Sequence, residues 1–293
     1  MALFDISRNL PWRASSPRES SDRVALITGG SIGIGAACVR EFLSAGWKVS
    51  VTALPGLELD RLASSGILTT AGDITCSQVR ETVVEQTLRT YGRIDVLINN
   101  AGIGLYALPT EVTLDNFRRL LEVNVMAPLA LSQLVIPVMS KQSSGTIVNI
   151  GSVGGIVSLP WAAAYSASKS ALHALHDSLL RELRGGPVHL VKVCPGIVNT
   201  GFRKHVLGGV APVGVRNLDR IVSPEAVAAR ILSAIGHRNR TVYIPRLGAL
   251  FALGGLLAPW LMDIYLGRLF EVERLGEERL ESAAYKPKNL LKH

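Results

Sequence analysis

Near-continuous apolar runs recur along the chain at Val24–Thr28, Lys48–Thr52, Ile94–Asn99, Thr146–Ile150, Val188–Val193 and Thr241–Ile244, with a weaker run near Ile67–Thr70. Between them the apolar positions shift to a helical period, notably over Gly35–Ala45, Gln78–Tyr91, Leu114–Ser140, Ala163–Arg184 and Pro224–Gly236. Strands apolar on both faces and separated by helices predict a parallel sheet covered on both sides. Right-handed crossovers wind such elements into an open α/β sheet of about seven strands, with the ligand crevice beyond the strand carboxyl ends.

The two ends break this pattern. Residues 1–22 scatter serines and prolines among isolated apolar residues, with no continuous apolar core of a secretory signal, and read as a flexible arm or, alternatively, a short interfacial anchor through Phe4 and Trp12. The alternation fills 23–245, and 246–293 form an apolar, helical extension. Within that extension, Leu247–Met262 holds no charge over 16 residues before Asp263 interrupts it. A bilayer-spanning helix needs about 20 apolar residues, and Pro259 weakens a continuous one. Two readings remain for 247–266: a helix buried in protein or a dimer contact, and a peripheral element docked on a membrane.

Composition narrows the classes. Apolar residues are 48% of the chain and charged ones 18%, enough for a large core and too apolar for a disordered protein. Three cysteines without a CxxC pair argue against a disulfide framework or a zinc site and for a reducing compartment, so a cytoplasmic protein is expected. The net charge is +8, and ten basic residues against two acidic ones fall between Arg184 and Arg246. No nucleic-acid-binding motif accompanies them, so no nucleic-acid partner is expected. A phosphate-bearing ligand or an anionic lipid face fits better.

Three motifs carry chemistry. Thr28-Gly29-Gly30-Ser31-Ile32-Gly33-Ile34-Gly35 joins the first strand to the first helix. Its glycines allow a sharp turn and close approach of a pyrophosphate to the helix N-terminus. Asn99-Asn100-Ala101-Gly102 ends the fourth strand with small and amide residues that leave room for a planar ligand. Tyr165 and Lys169 stand four apart on a helix, with Ser152 upstream. An ammonium near a phenol lowers its pKa, which suits an acid/base acting on an alcohol–carbonyl pair.

Together these residues resemble the short-chain dehydrogenase/reductase family over about Arg23–Ile244. The family's TGxxxGxG falls on Thr28, Gly29, Gly33 and Gly35, its NNAG on Asn99–Gly102, its YxxxK on Tyr165 and Lys169, and its serine on Ser152. Its helix asparagine matches Asn124, its adenine-contacting acid Asp73 with the backbone of Ile74, and its PG motif Pro195-Gly196. The resemblance implies a Rossmann-type fold and a nicotinamide cofactor held by Thr28–Gly35 (Ser31, Ile32 and Ile34 included), Asp73, Ile74, Asn100, Ala101, Gly102, Tyr165, Lys169, Pro195, Gly196, Val198 and Thr200. It also implies catalysis by Asn124, Ser152, Tyr165 and Lys169 without a metal, and a homodimer or homotetramer. His173, His176 and Asp177 have a spacing that can bind metal, but a packing or solvated role is expected.

Cofactor choice is the departure. The second strand ends Val51-Thr52-Ala53-Leu54, without the acid that accepts from a ribose 2′-OH, which favours NADP(H) over NAD(H), with Ser31 and Thr52 as groups able to bond a 2′-phosphate. Val153, Ile156, Val157, Leu159 and Trp161 after the serine, with Phe202, Val206 and Leu207, suggest an apolar pocket. A lipophilic secondary alcohol or ketone (steroid-, retinoid- or acyl-like) is the expected small-molecule substrate. The rival readings are a 3-oxoacyl-carrier reductase and a non-catalytic NAD(P)H-sensing scaffold.

Overall fold

The computed structural model describes residues 22–108, 110–200, 202, 206–207, 222–236 and 240–270. The 1–21 arm, most of the 201–222 loop with Arg203, Lys204 and His205, and the tail from 271 lie outside the described residues.

Seven strands form one parallel sheet: β1 (Val24–Thr28), β2 (Lys48–Ala53), β3 (Leu68–Ala71), β4 (Val96–Asn99), β5 (Gly145–Ile150), β6 (Val188–Pro195) and β7 (Arg240–Ile244). Their spatial order is β3-β2-β1-β4-β5-β6-β7. The order reverses direction between β1 and β4, so the crevice lies where the chain leaves those two strands. Register follows the apolar runs, Ile27 pairing with Val51 on one side and Ile98 on the other.

Helices cover both faces: α1 (Gly33–Ser44), α2 (Leu57–Ser64), α3 (Ser77–Tyr91), α4 (Leu114–Leu121), α5 (Ala127–Lys141), α6 (Ala163–Glu182) and α7 (Pro224–Leu232). One core layer joins Val39 and Phe42 of α1 and Ile231 of α7 to β1, β2 and β6. The other packs Val83 of α3 and Leu131, Val135 and Met139 of α5 on Leu26, Leu97 and Ile147. The run 114–141 is long and apolar enough to cross a membrane by length and composition. Here Leu131, Val135 and Met139 of this run belong to the second core layer and Leu120 to a separate cluster, while Leu114 and Met126 are exposed.

Two features differ from the sequence reading. α2 was not anticipated, because only Leu59 of its eight residues is buried and little apolar period remains to read. The helix expected over Leu114–Ser140 contains a π turn, Glu122–Met126, between α4 and α5. In the extension, α8 (Gly248–Leu257) and α9 (Pro259–Leu269) are separated by Ala258 alone, and Pro259 takes the first position of the second helix.

Candidate active site

At the end of β1, the buried Thr28 Oγ1 accepts from the backbone N–H of Asn100 and of Ala101, each at 3.0 Å. Asn100 Nδ2 returns bonds to the carbonyls of Thr28 (2.9 Å) and Gly29 (3.0 Å). The β1–α1 turn is thereby fastened to the end of β4. Close approach dictates the glycines: a Cβ on Gly35 would lie 2.1 Å from the Gly29 carbonyl oxygen, and Gly29 itself has φ +62°.

Ile32, the residue that caps the start of α1, makes no side-chain cap bond, and the helix has no acid in its first turn. Its leading N–H groups and positive dipole end thus lack an anionic or side-chain partner from this helix, as a pyrophosphate site requires. Ser31 and Ile34 are half-buried beside the exposed Ile32. A Cβ on Gly33 would meet the Thr200 side chain at 3.2 Å, so the loop after β6 lies over the turn. That loop is fixed by Gly196 N–H donating to the Ile244 carbonyl at 2.8 Å, just beyond Pro195, and by a bridge between Val198 and Val222. A glycine cradle, an open helix end and a covering threonine fit a dinucleotide.

Asp73, expected to meet the adenosine, is already engaged. Its carboxylate accepts from Thr75 N–H (3.0 Å), Thr75 Oγ1 (2.9 Å) and Arg119. Burial alone would raise its pKa, but these bonds outweigh burial and hold the carboxyl below the usual range. The neighbouring Ile74 is buried, and its carbonyl accepts from Arg80 at 2.8 Å. One expectation needs correction here. Thr52 is 1% exposed and its Oγ1 is enclosed, on the sheet face it shares with Ser50, which meets Thr87 of α3, so it does not face a 2′-phosphate. Leu54, just past β2, is exposed.

Asn124, Ser152, Tyr165 and Lys169 come from three elements. Asn124 lies buried in the π turn. Its Oδ1 accepts from Ile103 N–H, and its Nδ2 donates to the Ile103 carbonyl and to Ser168 Oγ, all at 3.0 Å. Ser168, which the sequence reading passed over, in turn donates to the Tyr165 carbonyl at 2.7 Å. A Cβ on Gly102 would lie 3.3 Å from Asn124 Oδ1 and 3.6 Å from Lys169 Nζ, so the end of β4 meets the same cluster. Ser152 caps the turn after β5, its Oγ accepting from Gly154 N–H at 3.0 Å, and it faces Tyr165. Lys169 Nζ is buried and donates to the Ile150 carbonyl at 2.9 Å.

The electrostatics depart from the expected pattern. Burial raises the Tyr165 phenol above its ordinary value, and the nearby Ser152 only partly opposes it. Lys169 does not pull it down, because its ammonium is spent on the Ile150 carbonyl and burial lowers its own pKa to about 8. Behind the site, the Gly151–Gly155 loop wraps His173, and a Cβ on Gly151 would lie 2.2 Å from His173 Nε2. That nitrogen accepts from Ser152 N–H at 3.4 Å. His176 Nδ1 pairs with Asn149 Nδ2 at 3.1 Å, and Asn149 Oδ1 accepts from Asn99 Nδ2 at 2.8 Å. Burial, with Lys192 nearby, lowers both histidines to about 4, so both are neutral spacers.

The anticipated apolar wall exists but is mostly occupied. Val157 and Trp161 are buried against Phe251, Met262, Leu266 and Phe270 of the C-terminal helices. Phe202 stands edge-on to Tyr165 with ring centres 6.1 Å apart, leaving an aromatic edge beside the phenol.

A doubly wound sheet with a glycine-lined first turn and a Ser–Tyr–Lys cluster defines a nucleotide-binding oxidoreductase fold. The chain belongs to the short-chain dehydrogenase/reductase family: the family model described as short chain dehydrogenase matches residues 23–208. It is similar to human dehydrogenase/reductase SDR family member 7, 32% identical over 68% of this chain and 62% of that protein, so the match spans less than two thirds of that relative. It is also similar to zebrafish (Danio rerio) dehydrogenase/reductase SDR family member 7B, 32% identical over 79% of this chain and 80% of that one. Among solved structures, a short-chain dehydrogenase/reductase from Burkholderia phymatum in complex with NAD superimposes with a TM-score of 0.72, 26% identity, and 85% and 96% coverage of the two chains.

Proposed function

We propose that the protein is an NAD(P)(H)-dependent oxidoreductase that interconverts a secondary alcohol and a ketone on a lipophilic substrate. The observation that carries this reading is the cluster in which Tyr165 and Lys169, one helical turn apart on α6, are tied through Ser168 to Asn124 and lie with Gly102 at the end of β4. The Thr28–Gly35 turn, Asn100, Ala101, Gly102, Asp73, Ile74, Val198 and Thr200 would hold the dinucleotide, and Lys169 its ribose. When bound, the cofactor supplies or accepts the hydride at the carbonyl carbon.

Every other step falls to the chain. Ser152 Oγ donates to the substrate oxygen and stabilises the charge that develops there. Tyr165 gives that oxygen its proton in reduction and removes it in oxidation. Asn124, held by Ile103 and Ser168, keeps the bend in the α4–α5 run that brings Gly102 beside Lys169. The lack of an acid at Ala53 or Leu54 supports NADP(H), because nothing at the strand end repels a 2′-phosphate.

Replacing Tyr165 with Phe tests the reading. Turnover should fall by about 10²–10⁴ while cofactor affinity stays within about twofold. Retained turnover would remove the mechanism, and absence of turnover in the unaltered protein with intact cofactor binding would favour the sensing scaffold.

A further inference from the structure

The structure assigns a docking surface for an anionic lipid leaflet to the outer face of the α8–α9 hairpin. The two helices run back along each other from Ala258. The Phe251 and Tyr265 rings are 6.5 Å apart, and a Cβ on Gly254 would touch Met262 at 3.2 Å, pairing residues at equal distances from the turn. The inner face is closed against the site. Phe251, Met262, Leu266 and Leu269 pack with Val157 and Trp161, and a Cβ on Gly255 would lie 2.5 Å from Val157.

The outer face inverts the usual arrangement of a water-facing helix. In α8 the small residues Gly248, Ala252 and Gly255 turn inward and the leucines turn out. Leu250 is 64% exposed, Leu253 48%, Leu256 76% and Leu257 71%. In α9, Trp260 is 63% and Ile264 50% exposed on the side opposite Leu266. A cluster of this kind marks an interaction surface rather than ordinary scattered exposure. Ten- and eleven-residue helices are about 15 Å long, too short to cross a bilayer but long enough to enter its interface.

Charge selects the occupant. Exposed Arg246 and Arg268 stand at the open end of the hairpin, away from the apolar tip at Leu256, Leu257 and Trp260. A tip in the acyl boundary would leave these guanidiniums at the level of lipid phosphates. A second copy of a chain with net charge +8 would meet them with repulsion, and a leaflet bearing anionic headgroups with attraction. This deepens the lipophilic-substrate reading, since the same helices wall the site from which such a substrate would enter.

The test uses the full chain and no substrate, so its failure and that of the catalytic reading are distinguishable. Flotation with vesicles of phosphatidylcholine containing phosphatidylserine should carry the protein to the lipid layer. Brominated acyl chains should quench its fluorescence, and Trp260→Phe should remove that quenching. Leu253→Glu with Leu257→Glu should weaken vesicle affinity at least tenfold without changing thermal stability or turnover of a soluble ketone. Arg246→Gln with Arg268→Gln should reduce the preference for anionic vesicles by roughly thirtyfold. Protein that stays free of anionic vesicles overturns the assignment. So does a lipid-free dimer that the two glutamates convert to monomer, which would make the face a self-contact.

Discussion

The two halves of the sheet build their parts of the site by different means. On the β1–β4 side the work is done by backbone: glycines without room for a Cβ, a helix end without a cap, and Thr28 and Asn100 bonding main-chain groups. On the β5–β7 side it is done by side chains brought together from distant positions. Ser152, Tyr165, Lys169 and His173 meet under a loop, and the apolar wall is shared with helices over eighty residues further along. Backbone chemistry demands fixed residue types at fixed spacing. Side-chain chemistry demands only that the fold deliver them. The first half should therefore be intolerant of any added atom, and the second sensitive to protonation.

Acid offers the largest contrast. His173 and His176 both lie on α6, and their pKa values fall from 6.5 to about 4 on folding. The unfolded chain binds more protons between those values, so the stability these groups contribute is complete above about pH 6.5 and is lost as pH falls through 4. A shift of this size corresponds to up to about 3 kcal/mol per histidine. In the other half, Asp73 has a lowered pKa, so its bonds to Thr75 and Arg119 persist to below its ordinary range. Hydrogen exchange at pH 5 should accordingly loosen β5, β6 and α6 before β1 and β2. Urea midpoints should fall between pH 7 and 4, and His176→Gln should flatten that fall. Equal loosening of both halves would break the comparison.

Gly35→Ala probes the opposite half. The added methyl would lie 2.1 Å from the Gly29 carbonyl oxygen and 2.5 Å from Asn100 Nδ2, neither the loose end of a flexible side chain. The turn must open, at a cost of about 2 kcal/mol, and cofactor affinity should fall with it. A calorimetric melt and a cofactor titration measure the two effects. Unchanged values for both would mean that the turn is softer than its packing implies.

The same division explains what was legible in the chain. The strands were readable because both sheet faces are buried, leaving apolar runs such as Val188–Val193. β6 then continues to Pro195 because the pairing with β7 extends through Cys194–Tyr243 and Pro195–Ile244. α2 was not readable, with one buried residue to mark its face. The site residues could be chosen from spacing, but not their electrostatics. The upward shift of Tyr165 depends on how deeply the fold sets the phenol, and the Lys169 bond to Ile150 depends on where β5 ends. Ser168 carried no signal beyond lying within Tyr165–Lys169. Thr52 differs from its expected role because strand side chains alternate between the two sheet faces, and the face it shares with Ser50, whose Oγ accepts from Thr87 of α3, is covered by packing that the sequence does not display.

The smallest effect sits where backbone and side-chain control meet, just beyond β2. Leu54 is 64% exposed at the position from which a relative with an acid would address the ribose. Nothing packs on it tightly enough for a polar replacement to unsettle the fold, so Leu54→Asp isolates charge from structure. A carboxylate there repels a 2′-phosphate and accepts from a 2′-OH. NADPH affinity should therefore fall about tenfold, or about 1.4 kcal/mol, while NADH affinity holds or rises. The loss should shrink as salt is added, because the site is open to solvent. If both cofactors weaken equally, Leu54 contacts the adenosine itself, and the strand end has no part in choosing between them.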